Sequence, residues 1–252
     1  MNYNLNNPII ERETKTVYED NGNTIKLFVP NYSKSDILNE ALNQARIENT
    51  GLNIPKIKSV TTFDNNWAIV SEYIKGKTLN ELINKNPDKF DEYLDLFVDL
   101  QLKVQSTPAP QNLNNLITKM IKKISVANID SSIKYDLNSR LQAMPVYKEI
   151  CHCDFNPSNI IIAENNTPYI IDWAHVTAGN GAADAAISYI LFWMDNNIYG
   201  AKKYLDLFCQ KSNISKKHVQ SWLPIVSASK SIKASPDEKE FLLSWINVVE
   251  YQ

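Results

Sequence analysis

The stretch from Cys151 to Trp173 constrains this chain more than any other, because it concentrates reactive side chains around a short predicted hairpin. It reads C-H-C-D-F-N-P-S-N-I-I-I-A-E-N-N-T-P-Y-I-I-D-W. Pro157 disfavours helix in its first part. The apolar β-branched run Ile160–Ile162, a turn at Asn165-Asn166 and a returning strand at Tyr169–Ile171 then predict two paired strands.

Four polar side chains of this stretch carry its chemistry, namely His152, Asp154, Asn159 and Asp172. The predicted hairpin brings Asp172 back beside Asn159, so that a carboxylate oxygen and an amide oxygen can face one hard cation. Two such ligands leave room for water and phosphate oxygens, which is how Mg²⁺ is usually held. Asp154 can accept a proton. Both aspartates also have a plain structural explanation, since Asp commonly caps turns and ends strands.

The spacing of these residues resembles that of the protein-kinase-like superfamily. The pattern is H-x-D-x-x-x-x-N, followed by an Asp that ends an apolar strand. His152-Cys153-Asp154 stands in place of H-R-D, and Asp172-Trp173-Ala174 in place of D-F-G. These variants are similar to the aminoglycoside phosphotransferase and choline kinase group. The resemblance implies an α+β, two-lobed fold. Residues 1–74 would form a small antiparallel sheet with one helix, and residues 75–252 a larger, mostly helical lobe.

Composition agrees with an enzyme of this size. The 252 residues are 44% hydrophobic, which supports a core large enough for two lobes. A formal charge of −2 gives no basic surface for nucleic acid or an anionic membrane. No stretch approaches the length of a membrane span, and residues 1–7 lack the pattern of a signal peptide, so we expect a cytoplasmic protein.

The cysteines favour a reducing compartment. Cys151, Cys153 and Cys209 cannot form a disulfide framework. The Cys-His-Cys run also suggests zinc. Neighbouring strand residues point to opposite faces, however, and no second cluster of ligands follows, so we do not expect a zinc site.

A lysine and a glutamate upstream extend the resemblance. Residues 8–29 alternate in the manner of strands, and Asn21-Gly22 supplies the positive φ angles of a tight hairpin. Lys26 lies in the second strand of that hairpin, and Glu40 lies on the amphipathic helix that follows. The resemblance implies that Lys26 contacts ATP phosphates and that Glu40 holds it. The alternatives are an exposed strand lysine and a solvated helix glutamate.

Two further segments bear on nucleotide binding. Ser71–Leu79 resembles a kinase hinge, in which the backbone of Glu72, Tyr73 and Ile74 would contact adenine; the alternative is an ordinary linker. The segment Glu11–Thr16, between the first two predicted strands, has no glycine. A glycine-rich loop that covers the ATP phosphates is therefore missing.

The rest of the chain is predicted to be helical. The resemblance implies that Asp184 braces the catalytic loop; the alternative is a helix N-cap, and the two roles are compatible. Four tryptophans would either line a pocket for an apolar or quaternary-ammonium-bearing alcohol or pack the helices together. Residues 173–252 hold eight lysines against seven acidic residues, which disfavours a polycationic acceptor. The predicted helices cover 79–83, 90–104, 113–124, 133–144, 185–194, 199–210, 215–229 and 236–250, and a loop is predicted at 179–183. The four tryptophans are Trp173, Trp193, Trp222 and Trp245.

The function implied is an ATP- and Mg²⁺-dependent phosphotransferase acting on a hydroxyl of a small molecule. Asp154 would take the proton, His152 would brace the loop, and Asn159 and Asp172 would hold the metal. The alternatives are a nucleotide-binding pseudokinase scaffold and a protein kinase. The latter is disfavoured by the missing glycine loop and by the short segment between Asp172 and Asp184. Neither fold nor loop specifies the acceptor or the oligomeric state.

Overall fold

The computed structural model describes residues 3–246, which form two compact units. The sheet unit contains the chain up to Lys85 together with Pro157–His175, and the helical unit contains Asn86–Asn156 and the chain from Val176 onward. The predicted α+β class is confirmed. The predicted boundary between residues 74 and 75 stays a prediction.

An antiparallel five-stranded sheet forms most of the sheet unit. Its strand order is β1-β2-β3-β5-β4, so the chain enters at one edge and β5 pairs back onto β3. The core on one face contains Phe28 and Ile69, packed against Ile37 and Ala41 of helix α1. The elements are β1 (Pro8–Glu11), β2 (Lys15–Asp20), β3 (Asn23–Phe28), α1 (Lys34–Ile47), β4 (Ile57–Phe63) and β5 (Asn66–Glu72).

The turn at Asn21-Gly22 sets the register of the β2–β3 hairpin. Both residues have positive φ, 50° and 71°, as a two-residue hairpin turn requires. Asp20 therefore pairs with Asn23, and the ladder places Val17 opposite Lys26. Because directly opposed residues point to the same face, Val17 and Lys26 share one side of the sheet.

Helix α1 begins after Ser33 and ends at Ile47. Ser33 is its N-cap, with its hydroxyl accepting from the backbone N–H of Asp36 at 3.3 Å. The irregular segment beyond the helix contains Gly51, which has a φ of 83°.

A smaller three-stranded sheet completes the sheet unit. Strand β8 (Ile160–Ala163) lies between β6 (Gly76–Thr78) and β9 (Pro168–Ile170), and α2 (Leu79–Lys85) follows β6. The predicted hairpin around Asn166 is confirmed. It pairs Ile160 with Ile170, and the N–H of Ile171 donates to the carbonyl oxygen of Asn159 at 2.9 Å.

Helices and one short two-stranded sheet form the helical unit. Strand β7 (Glu149–Cys151) pairs with β10 (Thr177–Gly179), directly before the loop that carries Asp154. The helices are α3 (Phe90–Ser106), α4 (Leu116–Val126), α5 (Ser131–Ala143), α6 (Gly181–Met194), α7 (Ile198–Ser212), α8 (Lys216–Ser221), α9 (Leu223–Lys230) and α10 (Pro236–Ser244).

The structure corrects the prediction around Asp184. The expected loop at 179–183 is wrong, because Gly179 pairs in β10 and α6 already begins at Gly181. Asn180 is the N-cap, with its side chain accepting from the N–H of Ala182 at 2.8 Å. Asp184 therefore lies inside the first turn of the helix, and the N-cap explanation for it is wrong.

Three other helix boundaries also differ. The helix predicted from 113 begins at Leu116, where Asn115 caps it. The helix predicted over 215–229 is two helices that meet at Trp222, with Pro224 near the start of the second, where its missing N–H does no harm. The last helix ends at Ser244, and residues 247–250 of that prediction lie outside the described residues.

The four tryptophans divide into two kinds. Trp173 and Trp222 are completely buried, and the ring N–H of Trp173 donates to the carbonyl oxygen of Ile170 at 2.9 Å. Trp193 and Trp245 are half-buried and meet edge to face at a centroid distance of 5.5 Å. Packing therefore accounts for the two buried rings, and the other two contact each other.

None of the helices within residues 3–246 combines the length and apolar character that crossing a bilayer requires.

We expect Gly76→Ala to destabilise the protein. A Cβ at this position of β6 would overlap the carbonyl oxygen of Ile162 on the paired strand and lie 2.8 Å from Ala163 Cα. Overpacking of this kind costs about 1–3 kcal/mol. The melting temperature should fall by about 2–4 °C for each kcal/mol lost. Lys77→Ala, at an exposed neighbouring position, is the control; equal melting temperatures for the two variants would contradict the steric argument.

Candidate active site

Lys26 lies between two carboxylates of the sheet unit. Its ammonium makes an ion pair with Glu40 of α1 and lies 3.7 Å from Oδ1 of Asp172, the residue that follows the β8–β9 hairpin. Strand β3 supplies the lysine, and Ser33 sets the start of the helix that carries Glu40. The ion pair predicted between Lys26 and Glu40 is therefore present.

Lys15 is a second cation at the same carboxylate, and the sequence motifs do not single it out. Its Nζ donates to Oδ2 of Asp172 at 3.3 Å. The register of the β2–β3 hairpin does predict the face on which Lys15 lies. Since Asn21-Gly22 places Val17 opposite Lys26, and strand residues two apart share a face, Lys15 must lie on the same face as Lys26.

The charges of this group stabilise one another. Burial alone would lower the pKa of Lys26, but the charges of Asp172 and Glu40 outweigh that effect and raise it. The charge of Lys26, assisted by Lys15 and opposed by burial, holds the pKa of Asp172 well below its ordinary value. Asp172 is therefore ionised at any physiological pH and available as an anionic ligand.

These residues surround one cavity of about 160 Å³ inside the sheet unit. Seven of the nine residues predicted as site residues line it, and Lys15 and Arg12 join them. The cavity therefore brings together the predicted phosphate, hinge and metal residues, although their roles stay predictions. The seven are Lys26, Glu40, Glu72, Tyr73, Ile74, Asn159 and Asp172.

The predicted hinge segment is partly engaged by the protein itself. The backbone N–H of Tyr73 donates to the carbonyl oxygen of Gly22 at 3.1 Å. The N–H of Glu72 donates to the carbonyl oxygen of Lys56 at 2.9 Å, and the carboxylate of Glu72 accepts from the N–H of Lys56. The amides of Tyr73 and Glu72 therefore hold the segment in place.

The oxygen donors at this cavity fit Mg²⁺. Asp172 offers an ionised carboxylate, and Asn159, whose side chain has an amide oxygen, lines the same cavity. Within residues 3–246, no group of three or more His, Cys, Asp or Glu side chains could hold a metal ion on its own. A cation bound here would take its remaining ligands from water and phosphate, which is the usual situation of Mg²⁺ in nucleotide sites.

The predicted catalytic loop belongs to the helical unit. His152 is fully buried, and its ring meets Phe155 at a centroid distance of 5.7 Å. Cys153 adopts a φ of 64°, which is rare outside Gly, Asn and Asp. Asp154 follows, half-buried, with Oδ1 at 3.7 Å from Nζ of Lys230.

Asp184 braces this loop from the first turn of α6. Its Oδ1 accepts from the backbone N–H of Cys153 at 2.6 Å, and its Oδ2 accepts from Nε2 of Gln101 at 3.3 Å. Burial raises the pKa of Asp184, whereas the neighbouring His152 and the Cys153 N–H favour the ionised form. Ser188, one turn later, donates to the carbonyl oxygen of Phe155 at 2.8 Å. The interior of the helical unit therefore fixes the backbone on both sides of Asp154.

Comparison with known families agrees with this arrangement. Residues 129–202 match the sequence model of a family described as "Phosphotransferase enzyme family", and this segment includes both the catalytic loop and the β8–β9 hairpin. A search of curated proteins finds no significant match.

Solved structures with the same fold cover nearly the whole chain. A thermostable mutant of aminoglycoside phosphotransferase APH(4)-Ia superposes with a TM-score of 0.70 at 14% identity, over 95% of this chain and 92% of that one. A choline/ethanolamine kinase family protein from Mesorhizobium loti gives 0.61 at 12% identity, over 95% and 87%. Choline kinase LicA from Streptococcus pneumoniae gives 0.60 at 15% identity, over 92% and 87%.

Some of these proteins have been solved with ligands. A mutant of APH(4)-Ia forms a ternary complex with ADP and hygromycin B, and LicA has been solved with AMP. The chain thus has the fold of the aminoglycoside phosphotransferase and choline kinase group, and the resemblance carried by its sequence is confirmed.

We expect Lys26 and Glu40 to act as one unit in nucleotide binding. Lys26→Met and Glu40→Gln should each weaken ATP binding, and the double variant should lose little more than the worse single variant. Residues in direct contact typically show a coupling of about 0.5–3 kcal/mol, measurable by calorimetry in a double-mutant cycle. Lys77→Met, an exposed lysine on β6, controls for loss of charge. Strictly additive losses would show that the ion pair has no part in binding ATP.

Proposed function

We propose that this protein transfers the γ-phosphate of ATP, with Mg²⁺, to a hydroxyl group of a small molecule. The observation that carries the proposal is the group formed by Lys26, Glu40, Lys15 and Asp172 around one cavity. Cations that line a cavity beside a carboxylate kept ionised are what phosphate binding with a metal requires. The Phosphotransferase enzyme family match and the shared fold support this assignment.

Lys26 and Lys15 would bind the phosphate oxygens of ATP. Lys26 is oriented by Glu40, so its ammonium does not need to be ordered when the nucleotide arrives. Lys15 is the first residue of β2 and lies within the glycine-free segment Glu11–Thr16. We assign to Lys15 part of the charge neutralisation that backbone amides of a glycine-rich loop provide elsewhere.

The backbone of Ile74 would contact adenine. Tyr73 uses its N–H inside the protein, on the carbonyl oxygen of Gly22. Recognition through this segment would therefore fall to Ile74, with Glu72 and Tyr73 holding the segment against the sheet.

Asn159 and Asp172 would hold the metal. Mg²⁺ bound there would neutralise charge on the phosphate oxygens during transfer. The chain's own contribution is to keep Asp172 ionised, through the charges of Lys26 and Lys15, and to aim it with the left-handed backbone at φ 61°.

Asp154 would orient the acceptor hydroxyl and take its proton as the bond between that oxygen and the γ-phosphorus forms, while the bond from the γ-phosphorus to ADP breaks and ADP leaves. The bracing by Asp184 and Ser188 holds the backbone around Asp154 still, which matters because phosphoryl transfer depends mainly on positioning. His152, fully buried behind the loop, would stabilise that backbone without touching the acceptor.

Asp154→Ala is the direct test of this assignment. Transfer of phosphate from ATP to a pool of hydroxylated metabolites should fall by about a hundred- to ten-thousandfold, because proton transfer contributes that much to rate. ATP affinity should stay near the wild-type value. Asp130→Ala, at an exposed aspartate of the helical unit, should leave transfer intact.

The other outcomes separate the alternatives. Wild-type turnover in Asp154→Ala would contradict the role of Asp154. ATP binding without transfer to any small molecule or protein would favour the pseudokinase scaffold, and transfer to protein substrates alone would favour a protein kinase.

We also expect Lys15→Gln to weaken binding of Mg-ATP by about tenfold, or about 1.4 kcal/mol. AMP, which lacks the outer phosphates, should bind the variant and the wild type equally. Calorimetric titration with both nucleotides measures the difference, and Lys85→Gln, at the exposed end of α2, is the charge-matched control. An equal loss for AMP and ATP would show that Lys15 supports the fold of the cavity and does not contact the outer phosphates.

A further inference from the structure

Buried hydrogen bonds connect helix α7 to the interior of the helical unit. Tyr204 of α7 donates from its hydroxyl to Oε1 of Gln101 on α3 at 2.6 Å. Nε2 of Gln101 donates to Oγ of Ser188 at 3.1 Å and to Oδ2 of Asp184 at 3.3 Å, both on α6. All four side chains are completely buried and belong to the helical unit. We call these four residues the polar network.

The polar network ends on the backbone groups that flank Asp154. Asp184 accepts from the N–H of Cys153 at 2.6 Å, and Ser188 donates to the carbonyl oxygen of Phe155 at 2.8 Å. Cys153 has a left-handed backbone, which is unfavourable for a residue of its type. The loop therefore depends on such contacts to keep the conformation in which it presents Asp154.

The hydrogens of the polar network can be arranged in only one direction. Ser188 uses its single hydroxyl hydrogen on the carbonyl oxygen of Phe155, so its oxygen can only accept from Gln101. The amide of Gln101 must therefore turn Nε2 toward α6 and Oε1 toward Tyr204. Since Oε1 carries no hydrogen, Tyr204 has to be the donor. Burial raises the pKa of Tyr204 well above its ordinary value, so the hydroxyl keeps this hydrogen.

Packing alone does not require the hydroxyl of Tyr204. The buried ring contacts three phenylalanines of the core at centroid distances of 5.6, 5.5 and 6.0 Å, and a phenylalanine at this position would keep these contacts. It would lose the donor that orients the amide of Gln101. A reversed amide would turn its oxygen toward the carboxylate on α6, which is repulsive because neither group has a hydrogen to share. The three phenylalanines are Phe97, Phe192 and Phe208.

We propose that Tyr204 is a positioning residue for phosphoryl transfer. Its hydroxyl orients the amide of Gln101, and through that amide the two α6 side chains that hold the backbone on both sides of Asp154. The proposal rests on the proposed function, in which Asp154 takes the proton of the acceptor. Tyr204 is completely buried in the helical unit, so its role is to keep the loop still. Its loss should slow transfer without weakening ATP binding, because phosphoryl transfer depends mainly on positioning.

Tyr204→Phe tests the role, because it removes the hydroxyl and keeps the ring. Transfer from radiolabelled ATP to a pool of hydroxylated metabolites should fall by about tenfold. The dissociation constant of ATP, measured by calorimetry, should stay at the wild-type value. Tyr199→Phe removes an exposed hydroxyl of the same helix, 3.0 Å from Nζ of Lys203, and should leave transfer unchanged. Wild-type transfer in Tyr204→Phe would overturn the proposal.

A double-mutant cycle separates positioning from a general loss of stability. Tyr204→Phe should slow transfer in the wild-type background and cause no further loss in the Gln101→Leu background, because Tyr204 acts through Gln101. Leu205→Ala removes buried apolar contacts from the same helix and no side-chain hydrogen bond, so its effect should be the same in both backgrounds. An equal loss from Tyr204→Phe in both backgrounds would show a purely structural role and overturn the proposal.

Hydrogen exchange tests the polar network without any acceptor. The backbone N–H of Cys153 donates to Asp184, so its exchange reports directly on the loop. Measured by NMR relative to the amide of Ile190, inside α6, it should be about tenfold faster in Tyr204→Phe and unchanged in Tyr199→Phe. An unchanged exchange rate in Tyr204→Phe would overturn the proposal even if transfer slows.

Failure of this proposal and failure of the proposed function give different results. If the wild type transfers phosphate to no small molecule, the proposed function fails, and the role of Tyr204 in transfer fails with it. If the wild type transfers phosphate and Tyr204→Phe matches it in transfer rate or in Cys153 exchange, only the role of Tyr204 is overturned.

Discussion

Lys26, held between the carboxylates of Glu40 and Asp172, is the interaction on which the sheet unit depends. It joins strand β3, helix α1 and the end of the β8–β9 hairpin, three segments that are far apart in sequence. Burying these charges is unfavourable unless each finds a partner, and removing one member of such a pair costs about 3–5 kcal/mol. Lys15 also reaches Asp172, so two lysines balance the two carboxylates of this group.

The catalytic loop uses a different means of holding a reactive group in place. Cys153 adopts a left-handed backbone that costs a residue of its type about 1–3 kcal/mol. The buried Asp184 stabilises it by accepting the Cys153 N–H, and Gln101 holds Asp184 in turn. Asp172 also has a positive φ. Each of the two segments with predicted chemical roles therefore contains a non-glycine residue with a left-handed, strained backbone.

Local sequence signals predicted the parts of the site that neighbouring residues determine. The turn at Asn21-Gly22 sets the register that aims Lys26, and the hairpin around Asn166 brings Asp172 back to Asn159. Lys15 follows from the same register, once Asp172 is known to lie on that face.

Features that depend on contacts between distant segments could not be predicted from local sequence signals. The loop predicted at 179–183 became strand and helix because Gly179 pairs with Glu149, thirty residues earlier. Helices α4 and α9 pack against each other although some hundred residues separate them in the chain. Nothing in the local pattern around Lys123 distinguishes it from Lys122, which is exposed; only the packing of α4 does so. The sequence therefore indicated the class of chemistry better than the class of acceptor.

The central claim is that the Lys26–Asp172 group is a Mg-ATP site. The direct measurement is the dissociation constant of ATP by calorimetry, with Mg²⁺ and with excess chelator, for the wild type and for Asp172→Asn. Mg²⁺ should tighten ATP binding in the wild type, and Asp172→Asn should lose that gain because the amide is a weaker metal ligand. An undiminished gain from Mg²⁺ in Asp172→Asn would show that Asp172 does not hold the metal.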